Sequence, residues 1–286
     1  MIPDPGELDA IINRALAEDA VGSDATSLSL IPPNLEATAS LVTKQPGILA
    51  GIHIADAVFK RVNPDLKFVC RLQDGDRLAV GKTLATVSGS MASILSGERT
   101  ALNFLQRMSG IATLTDLYVS AVEGTNASIV DTRKTVPGLR RLDKYSVNIG
   151  GGRNHRMNLS DGVLIKDNHI AALRSTGNTL EQLIKQARSK APHTLKVEVE
   201  VESVEGAISA ASAGADIVML DNMHPDDMRS AVAQISDQCI VEASGGITLA
   251  NVAEVASTGV DFISIGALTH SPMALDISLD YHTKIT

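Results

Sequence analysis

Short apolar runs alternate with amphipathic stretches over the second half of the chain, and this alternation constrains the fold more than any other feature. Six apolar runs follow one another after residue 126: 128–130, 163–165, 195–201, 217–220, 240–241 and 262–265. Helical patterns lie between the later ones, near 178–190, 203–213, 225–236 and 248–258. Buried runs of this length, repeatedly followed by helices, predict parallel strands closed or nearly closed into an α/β barrel.

The part of the chain before residue 126 has a different pattern. Residues 7–19 have apolar positions at helical spacing, and 37–43, 66–72 and 83–88 have the composition of strands. No proline interrupts 93–122, which predicts one long or broken helix. We therefore expect a small α+β domain that this helix joins to the barrel.

Composition and charge exclude several classes of protein. The 286 residues are 44% hydrophobic, which is enough for a large core, yet no apolar run approaches the ~18 residues of a membrane-spanning helix. A net charge of -8 and only seven aromatic residues disfavour nucleic acid as a partner. We expect no membrane association and a cytoplasmic protein in which the isolated Cys70 and Cys239 are buried thiols in a reducing compartment.

One segment carries charge of the opposite sign. Residues 133–174 contain nine Lys and Arg against three Asp, although the whole chain is acidic. A basic segment in an acidic protein indicates a small anionic ligand.

Polar residues or glycines follow nearly every predicted strand, and in a barrel these would converge on one mouth. Arg133 and Lys134 could grip carboxylates or phosphates there, or form a solvated turn. Residues 150–156, GGGRNHR, combine three glycines with Arg153, His155 and Arg156, which suits an anion better than a flexible loop. His155 could be a general acid, but we prefer a hydrogen-bond donor to a carboxylate.

Acidic and glycine-rich strand ends complete the predicted mouth. Lys166 is a charge clamp, a Schiff-base amine or a rim lysine. Glu198, Glu200 and Glu202 share one face by the strand period of two, and with Asp221 they suit Mg²⁺ or a developing positive charge, although Glu202 could instead cap the next helix. Ser244, Gly245 and Gly246 precede a predicted helix at residue 249 and, with Gly266, could bind a phosphate.

Five segments of the chain resemble the quinolinate phosphoribosyltransferase family. They are GERTALNFLQRMSGIAT (97–113), DTRKTVPGLRRLDKYSVNIGGGRNHRMNLSDGVLIKDNHI (131–170), VEVEVES (197–203), LDN (220–222) and EASGG (242–246). The resemblance extends to ALAEDAVGSDATS (15–27) and GALTHS (266–271), so it covers essentially the whole chain. Asp143, Ser146 and Ala243 depart from the residues expected, and none of these departures removes a charged site residue.

The resemblance implies an amino-terminal α/β sandwich domain (1–115) and an incomplete, open TIM-like α/β barrel (116–286), with residues about 270–286 as a candidate to return to the first domain. It also implies homodimers with shared active sites, with further assembly left open. The implied enzyme is a pentosyltransferase, nicotinate-nucleotide diphosphorylase (carboxylating). It would join quinolinate to 5-phosphoribosyl-1-pyrophosphate with Mg²⁺, giving nicotinate mononucleotide, pyrophosphate and CO₂ for NAD biosynthesis.

The resemblance assigns roles to twelve residues. Arg99 of the partner chain, with Arg133, His155 and Arg156, would bind the quinolinate carboxylates. Lys134 and Lys166 would contact substrate or pyrophosphate oxygens, and these lysines with Glu200 and Asp221 are the expected catalytic residues. Glu200 and Asp221 would also organise Mg²⁺, partly through water and substrate. The 5-phosphate would lie on Ser244, Gly245, Gly246 and Gly266.

Three alternatives differ in chemistry. A Schiff-base barrel aldolase would use Lys166 as nucleophile and leave the arginine cluster without a purpose. A non-catalytic anion-binding protein would hold the same ligands without releasing pyrophosphate. A related phosphoribosyltransferase-like protein linked to molybdate transport is the nearest alternative, and the RNHR and KDNH segments favour the quinolinate enzyme over it.

Overall fold

The structure is a computed structural model that describes residues 4–174 and 177–282, and the chain divides into two compact units. The first contains residues up to Asp116, Thr135–Gly151 and residues from Leu268 onward, and the second contains Leu117–Lys134 and Gly152–Ala267. The chain therefore passes between the units more than once, and the single domain boundary expected after residue 115 stays a prediction.

The first unit is built on an antiparallel sheet. Its elements, with the helix that leads out of it, are α1 (Pro5–Glu18), a 3-10 turn (Val21–Ser23), α2 (Ala25–Leu30), β1 (Glu36–Thr43), β2 (Gly47–Ile48), α3 (Ile52–Val62), β3 (Lys67–Cys70), β4 (Arg77–Leu78), β5 (Thr83–Ser90), α4 (Met91–Ala121), α5 (Arg140–Ile149), α11 (Ala267–His270) and β12 (Ile277–His282). The sheet order is β12-β1-β5-β3, and β2 and β4 form a separate two-stranded sheet. Ile12, Leu41, Ile52 and Phe59 from its helices and β1 share one buried core, which gives the expected α/β sandwich.

Helix α4 is continuous, although Gly97 and Gly110 made a broken helix an alternative in the sequence. Gly110 lies where the chain near Met273 passes so closely that an added Cβ would be 3.1 Å from the Met273 carbonyl carbon and closer still to its oxygen. The glycine is therefore required by close packing within the first unit and not by a kink in the helix.

The second unit is an open parallel barrel. Its elements are β6 (Ser128–Val130), β7 (Val163–Ile165), α6 (Asp167–Arg174), α7 (Leu180–Lys190), β8 (Val197–Val201), α8 (Val204–Ser212), β9 (Ile217–Asp221), α9 (Pro225–Ile235), β10 (Ile240–Ser244), α10 (Val252–Ala256) and β11 (Phe262–Ser264). All six strands are parallel in the order β6-β11-β10-β9-β8-β7, so the first strand in sequence pairs with the last. No pairing between β6 and β7 occurs within the described part of the chain, which confirms an incomplete barrel.

An extended segment after Gly152 lies beside the free edge of β6. Arg153 forms a parallel bridge with Val130, donating its N–H to the Ile129 carbonyl at 2.8 Å and accepting the Asp131 N–H at 3.1 Å. Since the segment runs parallel to β6, the residues after Arg153 continue beside the residues that follow Val130. This pairing places Asn154, His155 and Arg156 at the same end of the barrel as Arg133.

The expectation that both cysteines are buried is wrong. Cys70 is exposed and Cys239 is half-buried. Cys70 ends β3, which is the outer strand of its sheet, so within the described residues one edge of that strand has no neighbouring strand to cover it. Over residues 4–174 and 177–282, no helix has both the length and the apolar character needed to cross a membrane.

Candidate active site

A cavity of about 540 Å³ opens at the carboxyl ends of the barrel strands in the second unit. Ten of the twelve residues predicted for the site line it: Arg133, Lys134, His155, Arg156, Lys166, Glu200, Asp221, Ser244, Gly245 and Gly246. Arg99 is exposed on α4 in the first unit, and Gly266 follows β11; neither lines this cavity. Thr132, Leu164, Met219, Asn222 and Ser264 line it in addition to the predicted set.

Two guanidinium groups of like charge form the cationic part of the cavity. Nε of Arg133 is buried and makes no hydrogen bond with any residue that the structure describes. Burial first, and then the positive charge of Arg133, lower the pKa of Arg156, while Glu198 and Asp161 oppose that shift. Two cations that disfavour one another, one with an unpaired buried donor, form a site that an anion would stabilise.

His155 contacts the protein through both ring nitrogens. Nδ1 accepts the N–H of Arg156 at 2.7 Å, so Nε2 carries the ring proton and faces Glu198 at 3.1 Å. The ring thus fixes the backbone that carries Arg156. The expected donation from His155 to a ligand carboxylate stays a prediction.

A layer of buried carboxylates lies beneath the mouth and was not predicted as a unit. Glu198 and Glu242 are 4% and 3% exposed, and both face His155 from a second cavity of about 330 Å³. Burial first, and then the negative charge of Glu198, raise the pKa of Glu242 to about 7, with smaller opposing contributions from His155 and Ser264. The period-two alternation of the glutamates predicted that Glu198 shares one face of its strand with Glu200. The proximity of Glu198 to Glu242 is visible only from the register of β10 in the sheet.

Glu200 and Asp221 form the acidic part of the mouth. Glu200 is half-buried and pairs with Nζ of Lys166 at 3.4 Å. Burial is the largest cause that raises the pKa of Glu200, the charges of Asp221 and Asp167 raise it further, and Lys166 opposes them. A single lysine therefore leaves an excess of negative charge here, and a hard divalent cation such as Mg²⁺ fits a carboxylate set of this kind.

Glu202, the third member of the predicted acidic face, lies outside the cavity. It is exposed beyond the end of β8 and does not cap the following helix. The cap of α8 is Ser203, whose hydroxyl accepts the Gly206 N–H at 3.1 Å.

The predicted phosphate loop is a glycine turn rather than a helix end. Gly245 and Gly246 have successive φ angles of 84° and 63°, a left-handed path that favours glycine and brings consecutive N–H groups to one side. The helix expected from residue 249 begins only at Val252 and has five residues. Asn251 delays it, because its side chain accepts the Thr248 N–H at 2.7 Å and donates to the Gly246 carbonyl at 3.0 Å.

The three glycines at 150–152 do not line this cavity, and their predicted contact with an anion stays a prediction. An added Cβ on Gly150 would lie 2.7 Å from Cβ of Thr115 and closer still to the Ala112 carbonyl oxygen. Gly150 is therefore needed where α5 ends against α4 within the first unit. Glycine composition alone could not separate close packing from ligand binding.

Cations, carboxylates and a glycine turn thus share one mouth of an open α/β barrel, which defines an anion-binding barrel protein. Two family models match the chain, "Quinolinate phosphoribosyl transferase, N-terminal domain" over residues 24–109 and "Quinolinate phosphoribosyl transferase, C-terminal domain" over residues 111–280. The chain belongs to the quinolinate phosphoribosyltransferase family.

Similar proteins extend over nearly the whole chain. A "Probable nicotinate-nucleotide pyrophosphorylase [carboxylating]" of Bacillus subtilis (strain 168) is 43% identical over 96% of this chain and 93% of its own. The "Nicotinate-nucleotide pyrophosphorylase [carboxylating]" of Mycobacterium leprae (strain TN) is 43% identical over 94% and 95%. The crystal structure of NadC from Streptococcus pyogenes has a TM-score of 0.93 at 40% identity and covers 99% of this chain and 100% of its own.

The raised pKa of Glu242 predicts how stability changes with pH. Its pKa is higher in the folded chain (about 7) than the ordinary value of 4.5, so the folded state holds a proton that the unfolded state has lost between those values. Stability from this group is complete below about pH 4.5 and is lost as the pH rises through about 7. Between about pH 5 and pH 8, the free energy of unfolding of the wild type should fall by roughly 1–3 kcal/mol relative to Glu242→Gln.

Urea unfolding of both proteins at the two pH values measures this difference. The exposed Glu254→Gln variant is the matched control and should follow the wild type. Parallel pH dependence in the wild type and Glu242→Gln would show that the buried carboxylate is not protonated at neutral pH.

Proposed function

We propose that this chain transfers the phosphoribosyl group of 5-phosphoribosyl-1-pyrophosphate to the ring nitrogen of quinolinate, with decarboxylation, in NAD biosynthesis. The enzyme is a pentosyltransferase, a nicotinate-nucleotide pyrophosphorylase (carboxylating), and its products are nicotinate mononucleotide, pyrophosphate and CO₂. Membership of the family supports this reaction. In the structure, the observation that carries it is the pair Arg133 and Arg156, whose mutual repulsion and unpaired buried Nε call for an anion.

Arg133, Arg156 and His155 form the quinolinate end of the proposed site. Guanidinium groups suit carboxylates because their planar forks donate two parallel hydrogen bonds. His155 contributes by fixing the backbone of Arg156. The direct contact with a carboxylate that the family resemblance implies would use Nε2, which faces Glu198 in this structure. Arg99 from a partner chain completes this end in a homodimer with shared sites.

The remaining residues form the phosphoribosyl pyrophosphate end. The 5-phosphate lies on Ser244, Gly245 and Gly246, with Gly266 beyond them, and Lys134 and Lys166 neutralise pyrophosphate and substrate oxygens. Glu200 and Asp221 would hold Mg²⁺, partly through water and substrate. When bound, Mg²⁺ supplies positive charge that neutralises the pyrophosphate leaving group.

These residues position the reactants and stabilise charge. The ring nitrogen attacks C1 of the ribose as the bond from C1 to pyrophosphate breaks, and the positive charge that develops at C1 is stabilised by Glu200 and Asp221. The ribosylated nitrogen is cationic, so the neighbouring carboxylate can leave as CO₂ while its electron pair stays on the ring carbon and takes a proton. Arg133 and Arg156 hold the dicarboxylate in place for both steps.

The alternatives fit the site less well. A Schiff-base aldolase needs a neutral lysine amine, whereas the Lys166 ammonium pairs with Glu200 at 3.4 Å. The relative linked to molybdate transport is disfavoured by the intact RNHR and KDNH segments. A purely binding protein would not release pyrophosphate. We also propose a cytoplasmic location.

The proposed function predicts strong selection for the dicarboxylate. Nicotinate lacks the second carboxylate and would leave a buried guanidinium unpaired, so its kcat/KM should be about 10³–10⁵ lower than that of quinolinate. Chromatographic detection of nicotinate mononucleotide, with phosphoribosyl pyrophosphate and Mg²⁺, measures both substrates. Comparable efficiency for the two pyridines, or no product from quinolinate, would refute the proposal.

The acidic pair should act on the transition state more than on quinolinate binding. Glu200→Gln should lower kcat by about 10²–10³, because it removes a preorganised charge near C1. Quinolinate affinity, measured by calorimetry without the second substrate, should stay the same or increase, since a carboxylate that repels the dianion is gone. Glu202→Gln, two residues along and exposed, should behave like the wild type. Unchanged kcat in Glu200→Gln, or lost quinolinate binding, would contradict the assignment.

The shared site predicts complementation between inactive variants. Arg99→Ala and Lys134→Ala should each be inactive, but a mixed dimer retains one intact site, built from Lys134 of one chain and Arg99 of the other. Random mixing should restore roughly a quarter of wild-type activity. Native mass spectrometry checks that mixed dimers form. If they form without activity, Arg99 does not act in the partner's site.

A further inference from the structure

Asn222 follows Asp221 at the end of β9 and has a left-handed backbone conformation. Its φ is 53°, and Ala20 is the other non-glycine residue with positive φ between residues 4 and 282, outside the gap at 175–176. Asn tolerates this region better than most residues, yet the conformation still needs support from its surroundings. Asn222 lines the mouth cavity together with Asp221 and the glycine turn.

The side-chain amide of Asn222 fixes the neighbouring carboxylate. Nδ2 donates to Oδ2 of Asp221 at 2.7 Å. An ionised carboxylate only accepts hydrogen bonds, so the nitrogen and not the oxygen of the amide must face it. A hydrogen bond to a charged acceptor restricts the rotation of Asp221, which is one of the two carboxylates proposed for Mg²⁺ and the ribose.

Asn222 also shapes the glycine turn. Its N–H donates to the Ser244 carbonyl at 2.9 Å, which extends the pairing of Asp221 with Ser244 between β9 and β10. An added Cβ on Gly245 would lie 2.5 Å from Cγ of Asn222 and closer still to its Oδ1. The Asn222 side chain therefore packs directly on Gly245 and leaves no room for a side chain at position 245.

We propose that Asn222 is a positioning residue that keeps the Asp221 carboxylate and the 244–246 turn at a fixed separation. The two ends of phosphoribosyl pyrophosphate, its metal-bound pyrophosphate and ribose on one side and its 5-phosphate on the other, would then be bound in one geometry. This inference rests on the proposed function, since it assigns both groups to the same substrate. Asn222 does not need to contact the reacting atoms.

Asn222→Gly tests the side chain without disturbing the backbone, because glycine adopts positive φ freely. Calorimetry with phosphoribosyl pyrophosphate and Mg²⁺ should give a Kd about tenfold or more above that of the wild type, in line with the loss of a charge-assisted hydrogen bond. The Kd of quinolinate alone should change less than twofold. Asn126→Gly, an exposed asparagine in the loop before β6, is the matched control and should leave both constants unchanged.

Two further variants separate positioning from general disruption. Asn222→Asp keeps the size of the side chain but loses the donor and adds charge beside Asp221, so it should raise the same Kd at least as much. Gly245→Ala should also weaken phosphoribosyl pyrophosphate binding. In the double variant, Asn222→Gly removes the two atoms nearest to the new Cβ at position 245, which are Oδ1 and Cγ of Asn222. The increase in Kd of the double variant should therefore be smaller than the product of the increases in the two single variants.

The wild-type measurements distinguish failure of this inference from failure of the proposed function. If the wild type forms nicotinate mononucleotide but Asn222→Gly binds phosphoribosyl pyrophosphate within twofold of it, the positioning role is overturned and the function stands. The positioning role would also be overturned if Asn222→Gly raised the Kd of quinolinate as much as that of phosphoribosyl pyrophosphate. The same holds if the increase in Kd of the double variant equalled the product of the two single increases. A wild type that binds neither substrate would overturn the function and this inference together.

Discussion

The carboxylate of Asp131 holds residues 154–155 against the end of β6 on the open side of the barrel, and the site depends on these hydrogen bonds. Asp131 is fully buried at the end of β6, where Oδ1 accepts the His155 N–H at 2.9 Å and Oδ2 accepts from Nδ2 of Asn154 at 2.6 Å. A closed barrel would hold this edge with a neighbouring strand. On the side away from β11, β6 has only the single bridge to Arg153 within the described residues, so side-chain hydrogen bonds replace the missing ladder. The same contacts set Arg133 and Arg156 side by side.

The mouth separates charges by sign, and that separation follows from the strand order. Arg133 and Arg156 come from β6 and the segment beside it, whereas Asp221 and Ser244 end β9 and β10. Neither the two arginines nor the acidic pair is fully neutralised by the residues that the structure describes: Nε of Arg133 is buried without a hydrogen-bond partner among them, and Lys166 only partly offsets the acidic pair. Under the proposed function, the unneutralised cations are available for a dianion at one end, and the acidic pair is available for a phosphorylated sugar with its cation at the other.

Local pattern predicted the barrel strands and most of its helices, because each lies in a short segment whose periodicity is visible in the sequence. It failed where distant segments decide the outcome. Helix α5 (140–149) and strand β12 (277–282) were not predicted, and β12 pairs with β1, more than 230 residues earlier. Ten predicted residues line the cavity, and most of them were predicted because polar residues follow apolar strands, whereas His155 and Arg156 were predicted from the GGGRNHR segment. The proximity of His155, Glu198 and Glu242 required the barrel register. The packing role of Gly150 was not visible in the sequence, because close packing and ligand binding both select glycine.

Three glutamates of the same strand pattern differ in burial, and their burial determines what each carboxylate can do. Glu198, Glu200 and Glu202 obey the same period-two alternation, but they are buried, half-buried and exposed in that order. The buried carboxylate of Glu198 needs His155 as a partner, whereas the exposed carboxylate of Glu202 is hydrated. Only the middle position combines access for a ligand with enough burial to strengthen electrostatic interactions. The useful property of Glu200 is therefore its place at the boundary between core and solvent, which the end of a barrel strand provides.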